Sequence, residues 1–255
     1  MSSSNKLLGA FEAHDPAAIR KALAAGCSPT ALMGSKSPLI LLTEMYTRTS
    51  RFADCLRVLL DAGASFNDSL LESLLLDDDV QLRGILKSSP GEISRRFHLN
   101  CAYTPLDGAS PLHICAEYNS MRCARVLLEA GHPVDATATI DANGFGGHTP
   151  VFHTVNSNRN YCRPMMELLV DAGASLDVRL KGIAWGSGFE WETTILDVTP
   201  LSYVQCGLYF QFHRREDHIY PNLAYLYQKK YGQPLVLGNV PNKYLQDSRV
   251  FPPRM

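Results

Sequence analysis

The chain has 255 residues and a mass of 28.2 kDa; it is 45% hydrophobic, with 24 basic side chains against 25 acidic ones and a pI near 6.7. That balance excludes the basic footprint of a nucleic-acid binder or a membrane-surface protein, and no stretch approaches the roughly 20 apolar residues of a membrane span. Seven cysteines, an odd number with no C-x-x-C pair, lie mostly within helical patterns as small apolar residues, which predicts a reduced, cytoplasmic protein; the first six residues offer no apolar run long enough for a leader.

In chain order, the pattern predicts a first helix pair over Lys6–Ala13 and Pro16–Ala24, closed by Ala22-Leu23-Ala24-Ala25-Gly26. Ser37-Pro38-Leu39-Ile40 opens a second unit that ends in Leu59-Leu60-Asp61-Ala62-Gly63. A shortened pair follows over Ser69–Leu76 and Val80–Leu86; the acid run Asp77-Asp78-Asp79 before its second helix fits helix capping, since the D-x-D-x-D-G calcium pattern is missing. The fullest unit runs Asp107-Gly108-Ala109-Ser110-Pro111-Leu112-His113-Ile114-Cys115-Ala116, then Cys123 to Gly131, then Val134-Asp135-Ala136. Ser110 is placed to cap its first helix, Pro111 sits where an N–H would be unpaired anyway, and Gly131 suits a left-handed terminator. Gly147-His148-Thr149-Pro150 opens a further unit closed by Leu169-Val170-Asp171-Ala172-Gly173, and Val198-Thr199-Pro200-Leu201 opens the last, with a second helix over roughly Tyr220–Tyr231. The four closing glycines stand 37, 68 and 42 residues apart, and self-similarity at such periods marks a stacked repeat array.

The unit around Ser110-Pro111-Leu112-His113 resembles an ankyrin repeat, with its D-G turn, T-P-L-H-x-A-A helix, V-x-L-L-L second helix and closing G-A-D-V-N. The resemblance implies an all-α, ankyrin-type solenoid of about six stacked helix-turn-helix repeats with long hairpin loops and an extended C-terminal tail. Its expected parts are an N-terminal cap at 5–29, repeats at 30–66, 67–90 (shortened), 107–140, 146–180 and 198–232, an aromatic glycine-rich insertion at 181–197 and a packed tail at 233–255. Only His113 keeps the motif histidine, which Ile40, Phe152 and Ser202 replace elsewhere. Pro111 to Pro150 is 39 residues and Pro150 to Pro200 is 50, against about 33 in the family. The excess falls at Thr137–Gly146, Ser157–Tyr161 and Val178–Asp197.

Such arrays imply a protein–protein interaction module, bound through its concave face and long loops, with another protein as partner and no cofactor, metal or catalytic set; a monomer is expected. The candidate contacts are Tyr118, Phe145, His148, Asn156, Trp185, Phe189, Trp191 and Arg214. The segment Lys181–Glu192 holds both tryptophans of the chain beside glycines, and reads either as a recognition finger or as a local mini-core. The alternative is a small-molecule or enzymatic site framed by the 181–197 loop and the last repeat, using His148, His153, Arg214, Glu216 and His218. No nucleophile, base and orienter can be picked out by spacing: Cys162 lies near His148 and His153 in sequence but without a recognisable acid. His213 and His218 do not share a helix face, Asp217 is expected to cap the following helix, and Gly186-Ser187-Gly188 is too short for a phosphate loop.

Overall fold

In the computed structural model, which describes residues 3–236 and Gly238, the chain folds mainly as successive helix pairs. These are α1 (Ser3–Glu12) with α2 (Pro16–Ala24), α3 (Pro38–Glu44) with α4 (Phe52–Asp61), and α5 (Ser69–Leu76) with α6 (Asp79–Ser88). They continue as α7 (Pro111–Tyr118) with α8 (Met121–Glu129), α9 (Phe152–Val155) with α10 (Arg163–Asp171), and α11 (Pro200–Cys206) with α12 (Glu216–Tyr231). Successive pairs pack on one another: α2 on α4, α4 on α5, α5 on α7, α6 on α8, α7 on α9 and α9 on α11. One continuous apolar core results, running from Leu7 and Phe11 to Leu223 and Leu226. The pairs and the ankyrin motif make this a mostly helical, ankyrin-type fold. Among the described residues no helix is long and apolar enough to cross a membrane.

The helix ends explain the recurring glycines. Gly26, Gly63, Gly131 and Gly173 all adopt left-handed backbone, with φ of +92°, +96°, +85° and +93°. Each donates to the carbonyl three residues back, and the residue after each donates to the carbonyl five residues back, as in Gly131 N–H to Leu128 O (3.0 Å) and His132 N–H to Leu127 O (2.9 Å). This paired closure satisfies carbonyls the helix end would leave open, and it needs a residue that tolerates positive φ. The starts are as local: Asp15, Ser37, Asp68, Asp78 and Thr199 each accept a first-turn N–H. Asp77, in left-handed backbone, closes α5 and accepts from Cys123 N–H at 2.9 Å, so two members of the acid run serve capping and packing.

The all-α expectation needs correcting. Two antiparallel hairpins interrupt the helices: β1 (Phe97–Leu99) with β2 (Leu106–Ala109), and β3 (Leu180–Trp185) with β4 (Thr193–Val198). The 181–197 insertion is therefore a ladder, with Leu180 opposite Val198 and Trp185 opposite Thr193. Its strand character comes from Thr193-Thr194-Ile195 and Val198, β-branched residues that fit a pleated, half-buried surface. Gly182 in β3 serves close approach rather than flexibility: a Cβ there would fall 2.6 Å from the Phe145 ring.

Other boundaries shift by a turn or less. Helix α12 starts at Glu216 rather than near Tyr220, so Asp217 lies in its first turn, paired with Arg215 at 2.6 Å, and does not cap it. Ser157–Tyr161 holds a short 3-10 turn at Asn158–Asn160 between α9 and α10. Of the expected tail, Leu235 is half-buried against the core, while residue 237 and residues 239–255 lie outside the described residues.

Candidate functional site

Stacking of the first helices of successive pairs, α7 on α9, sets Glu117 at the end of α7 against His153 in α9, and the loop after α3 adds Arg48. Arg48 Nε donates to Glu117 Oε1 at 2.9 Å, and His153 Nδ1 lies 3.0 Å from Glu117 Oε2. All three side chains are buried, and the guanidinium also lies 4.7 Å from the Tyr118 ring centre. Burial pushes the Glu117 carboxyl up, but the Arg48 guanidinium and the His153 hydrogen bond outweigh it, so the net displacement is downward and the group is a carboxylate. Cys162 reaches the backbone carbonyl of Glu117 at 3.6 Å; burial pushes its thiol up, which leaves it protonated and a poor nucleophile.

Beside this pair three imidazoles meet. Ring centres of His113, His148 and His153 lie 5.2–5.6 Å apart, and one ligand atom from each falls within 4.8 Å of the others. Burial holds His113 well below the usual imidazole range and lowers His148 to about 3. His113 accepts from Ser110 N–H at 3.1 Å through Nδ1 and donates through Nε2 to the His148 carbonyl at 3.0 Å, so it locks a helix start and has no lone pair left. His148 Nε2 donates to Pro105 O at 2.8 Å. Only His148 Nδ1 and His153 Nε2 lack partners. Two open nitrogens fall short of the four ligands of a structural zinc, and buried Arg48 opposes added positive charge. The cluster is built as packed rings, with His113 and His148 neutral.

Beside the Arg48–Glu117 pair opens a cavity of about 440 Å3. Hairpin β3–β4 supplies Trp185 and Trp191, the segment from α11 to α12 supplies Gln211, Phe212, His213 and Arg214, and Tyr46, Tyr103 and Asn158 complete the wall. A space of about 10 Å3, lined in part by the same Tyr103, Asn158 and Trp185, continues to Arg48, Glu117 and His153; roughly that volume is the least that holds one water. Trp185 is sandwiched, with Phe212 at 4.2 Å and Tyr103 at 5.0 Å between ring centres. Arg214 lies over Tyr103 (4.5 Å) and Trp185 (5.1 Å). Its Nε donates to Asn156 O at 2.6 Å and its Nη1 to Phe212 O at 2.9 Å. Burial lowers its pKa from the ordinary value, and no ion pair to it forms among the described residues.

The expected contact residues divide by exposure. Tyr118, His148, Asn156 and Trp185 are buried: Tyr118 donates to Thr43 O at 2.8 Å, and Asn156 Nδ2 bonds Tyr203 O. Phe145 is half-buried under the Lys181 ammonium, 5.8 Å from its ring. Trp191 and Arg214 are half-buried at the cavity, and Phe189 is exposed and stacked on Trp191 at 4.3 Å. Sequence reading missed Arg48, Tyr46, Tyr103, Phe210 and Phe212. Of these, the aromatic run Tyr209-Phe210-Gln211-Phe212 between two helices carried a readable signal; the others become neighbours only through long-range packing.

The ankyrin repeat family model matches residues 107–139, the span of α7, α8 and the turn after them. Among solved structures, the human ASB11 ankyrin repeat domain is 21% identical, with 68% of this chain and 71% of that one covered and a TM-score of 0.32. The ankyrin repeat domain of Bcl-3, described as a unique member of the IkappaB protein family, is 20% identical over 85% of this chain and 80% of its own, with a TM-score of 0.39. No curated protein matches the sequence. The D-G turn, the capped Ser110-Pro111-Leu112-His113 helix and the left-handed Gly131 are the features of that matched span, and on them residues 107–139 form an ankyrin repeat.

Proposed function

We propose that the six helix pairs form a single stack of repeats and that the chain is a protein-interaction module, receiving another protein on the concave face and long loops of that stack. The observation that carries this reading is a row of rings along the cavity rim. Phe189 stacks on Trp191 at 4.3 Å, Trp191 lies 6.5 Å from His213, and His213 lies 5.6 Å from Phe210. Phe210 is 90% exposed, and Leu208 and Tyr209 beside it are exposed too. A contiguous apolar rim on a soluble fold marks an interaction surface, and aromatic anchors dominate such interfaces. The loop around Phe145 extends the same face, because Gly146 N–H donates to Gly182 O at 2.9 Å and ties it to the hairpin. A rigid stack holds these loops in advance, which limits the entropy lost on binding. None of the seven cysteines forms a disulfide, which suits a reducing compartment, and a cytoplasmic monomer is the corresponding setting.

The test is site-specific photo-crosslinking in cells, with a benzophenone side chain at position 210 and, as control, at exposed Gln81 on α6. A discrete adduct from position 210, missing from position 81 and lost when Trp191→Ala is added, is the expected result. Equal labelling at both positions, or none from 210, would remove the docking surface.

A further inference from the structure

We propose that the cavity between hairpin β3–β4 and the start of α12 binds a small aromatic carboxylate, its ring against Tyr46 and Trp191 and its carboxylate toward Arg214 and His213. Three observations combine. The volume, about 440 Å3, lies within the roughly 300–1,000 Å3 of small-molecule sites. The inner rings are already used, since Trp185 is buried between Tyr103 and Phe212. Tyr46 is 45% exposed and Trp191 half-exposed, so these two retain surface for a planar guest.

Charge selects the guest. The cavity lining contains Arg214 and His213 but no aspartate or glutamate. The nearest carboxylate in the floor, Glu117, is already held by Arg48 and His153. Arg214 is thus the unbalanced charge of the site: it is fixed by two backbone carbonyls and two ring faces, and it has no ion pair among the described residues. An aromatic-walled cavity by itself would equally suit an organic cation through its ring faces. The guanidinium repels that guest, and an incoming carboxylate would relieve its unpaired, partly desolvated charge. With one guanidinium whose donors are partly committed, a single carboxylate fits better than a multiply charged phosphate.

This inference rests on the cleft as a binding site but not on the protein partner proposed above. Isothermal titration of the full chain with three probes of one shape separates the terms: 2-naphthoate, its neutral 2-naphthamide and the 2-naphthylmethylammonium cation. The expected order is naphthoate at least tenfold tighter than the amide, with the cation weakest. His213→Glu, a change at an exposed position, should weaken naphthoate at least tenfold and improve the cation. Amide binding as tight as naphthoate, preference for the cation, no binding by any probe, or indifference of naphthoate to His213→Glu would each overturn the proposal. If the position-210 crosslink persists while the probes fail, the docking surface stands and only the small-ligand site falls.

Discussion

Arg48 and Glu117, 69 residues apart in sequence, meet at 2.9 Å with 2% and 4% of their side chains exposed. Few arrangements are as sensitive to the loss of one partner. Glu117→Ala would strand the guanidinium without its carboxylate, which costs about 3–5 kcal/mol for a buried pair. Replacing both, Arg48→Met with Glu117→Leu, should recover only part of that, because the apolar pair needs no counter-charge but leaves His153 Nδ1 and the Met45 and Thr43 carbonyls without these partners. Urea denaturation of the three variants measures this. A Glu117→Ala loss below about 1 kcal/mol, the scale of an exposed pair, would mean that solvent reaches the site.

Acid should unfold the protein earlier than a surface carboxylate count suggests. Burial lowers His148 to about 3 and His14 to about 4, and holds His113 well below its usual range. Each native imidazole therefore refuses a proton that the unfolded chain accepts below about 6.5. Stability rises with pH wherever the unfolded state binds more protons, so it should fall as pH drops from about 6.5 toward 4. Glu117, whose carboxyl is held below its usual value, adds a loss at still lower pH, as the pH passes through its folded-state value. His148→Gln keeps a donor for the Pro105 carbonyl but cannot titrate, so its urea midpoint should depend less steeply on pH between 7 and 4.5. Parallel pH dependences for the variant and the parent would exclude His148 as a source.

What the sequence made legible is what local chemistry decides. Gly131 is preceded by a helix that must end, and Ser110-Pro111 can only begin one, so both were readable from neighbours in the chain. Hairpin β3–β4 was hidden because Gly182, Gly186 and Gly188 suggest flexibility when counted by composition. Gly182 is there because Phe145 lies against it, a contact made by a loop 37 residues earlier. The site was harder still. Glu117 and Tyr118 end the motif helix where ankyrin arrays present contacts, yet here Arg48 and Cys101 cover them. No periodicity in the chain announces that cover. The three histidines likewise meet only because two repeats stack.

The recurring glycine is testable at one position. A Cβ at Gly131 would meet nothing within 4 Å, so Gly131→Ala isolates the conformational cost of φ +85°, about 1–2 kcal/mol for a left-handed residue. Gly131→Asn should cost less, since asparagine tolerates that region. Gly146→Ala should cost more than either, because its Cβ would fall 2.2 Å from the Thr139 carbonyl oxygen and the 141–147 loop would have to move. Chemical denaturation ranks the three. If Gly131→Ala is neutral, the closing turn tolerates another backbone form.

The two tryptophans should separate structure from surface. Trp185, 2% exposed between Tyr103 and Phe212, is part of the core, and Trp185→Ala should cost about 3–5 kcal/mol, as large-to-small core changes do. Trp191 is half-buried and stacks on exposed Phe189, so Trp191→Ala should cost clearly less. Phe210, 90% exposed, should be replaceable by alanine within about 0.5 kcal/mol. The hairpin supports this ordering: Trp185 sits opposite Thr193 at the end of the ladder, with Gly186 N–H donating to Tyr103 O at 3.2 Å, so its loss would also loosen the strand pairing. Fluorescence adds an independent readout, because the chain has only these two tryptophans. Trp191→Ala should leave the emission of a buried indole, and Trp185→Ala that of a more exposed one. Equal stabilities and equal emission maxima for the two variants would mean that the hairpin does not seat Trp185 in the core.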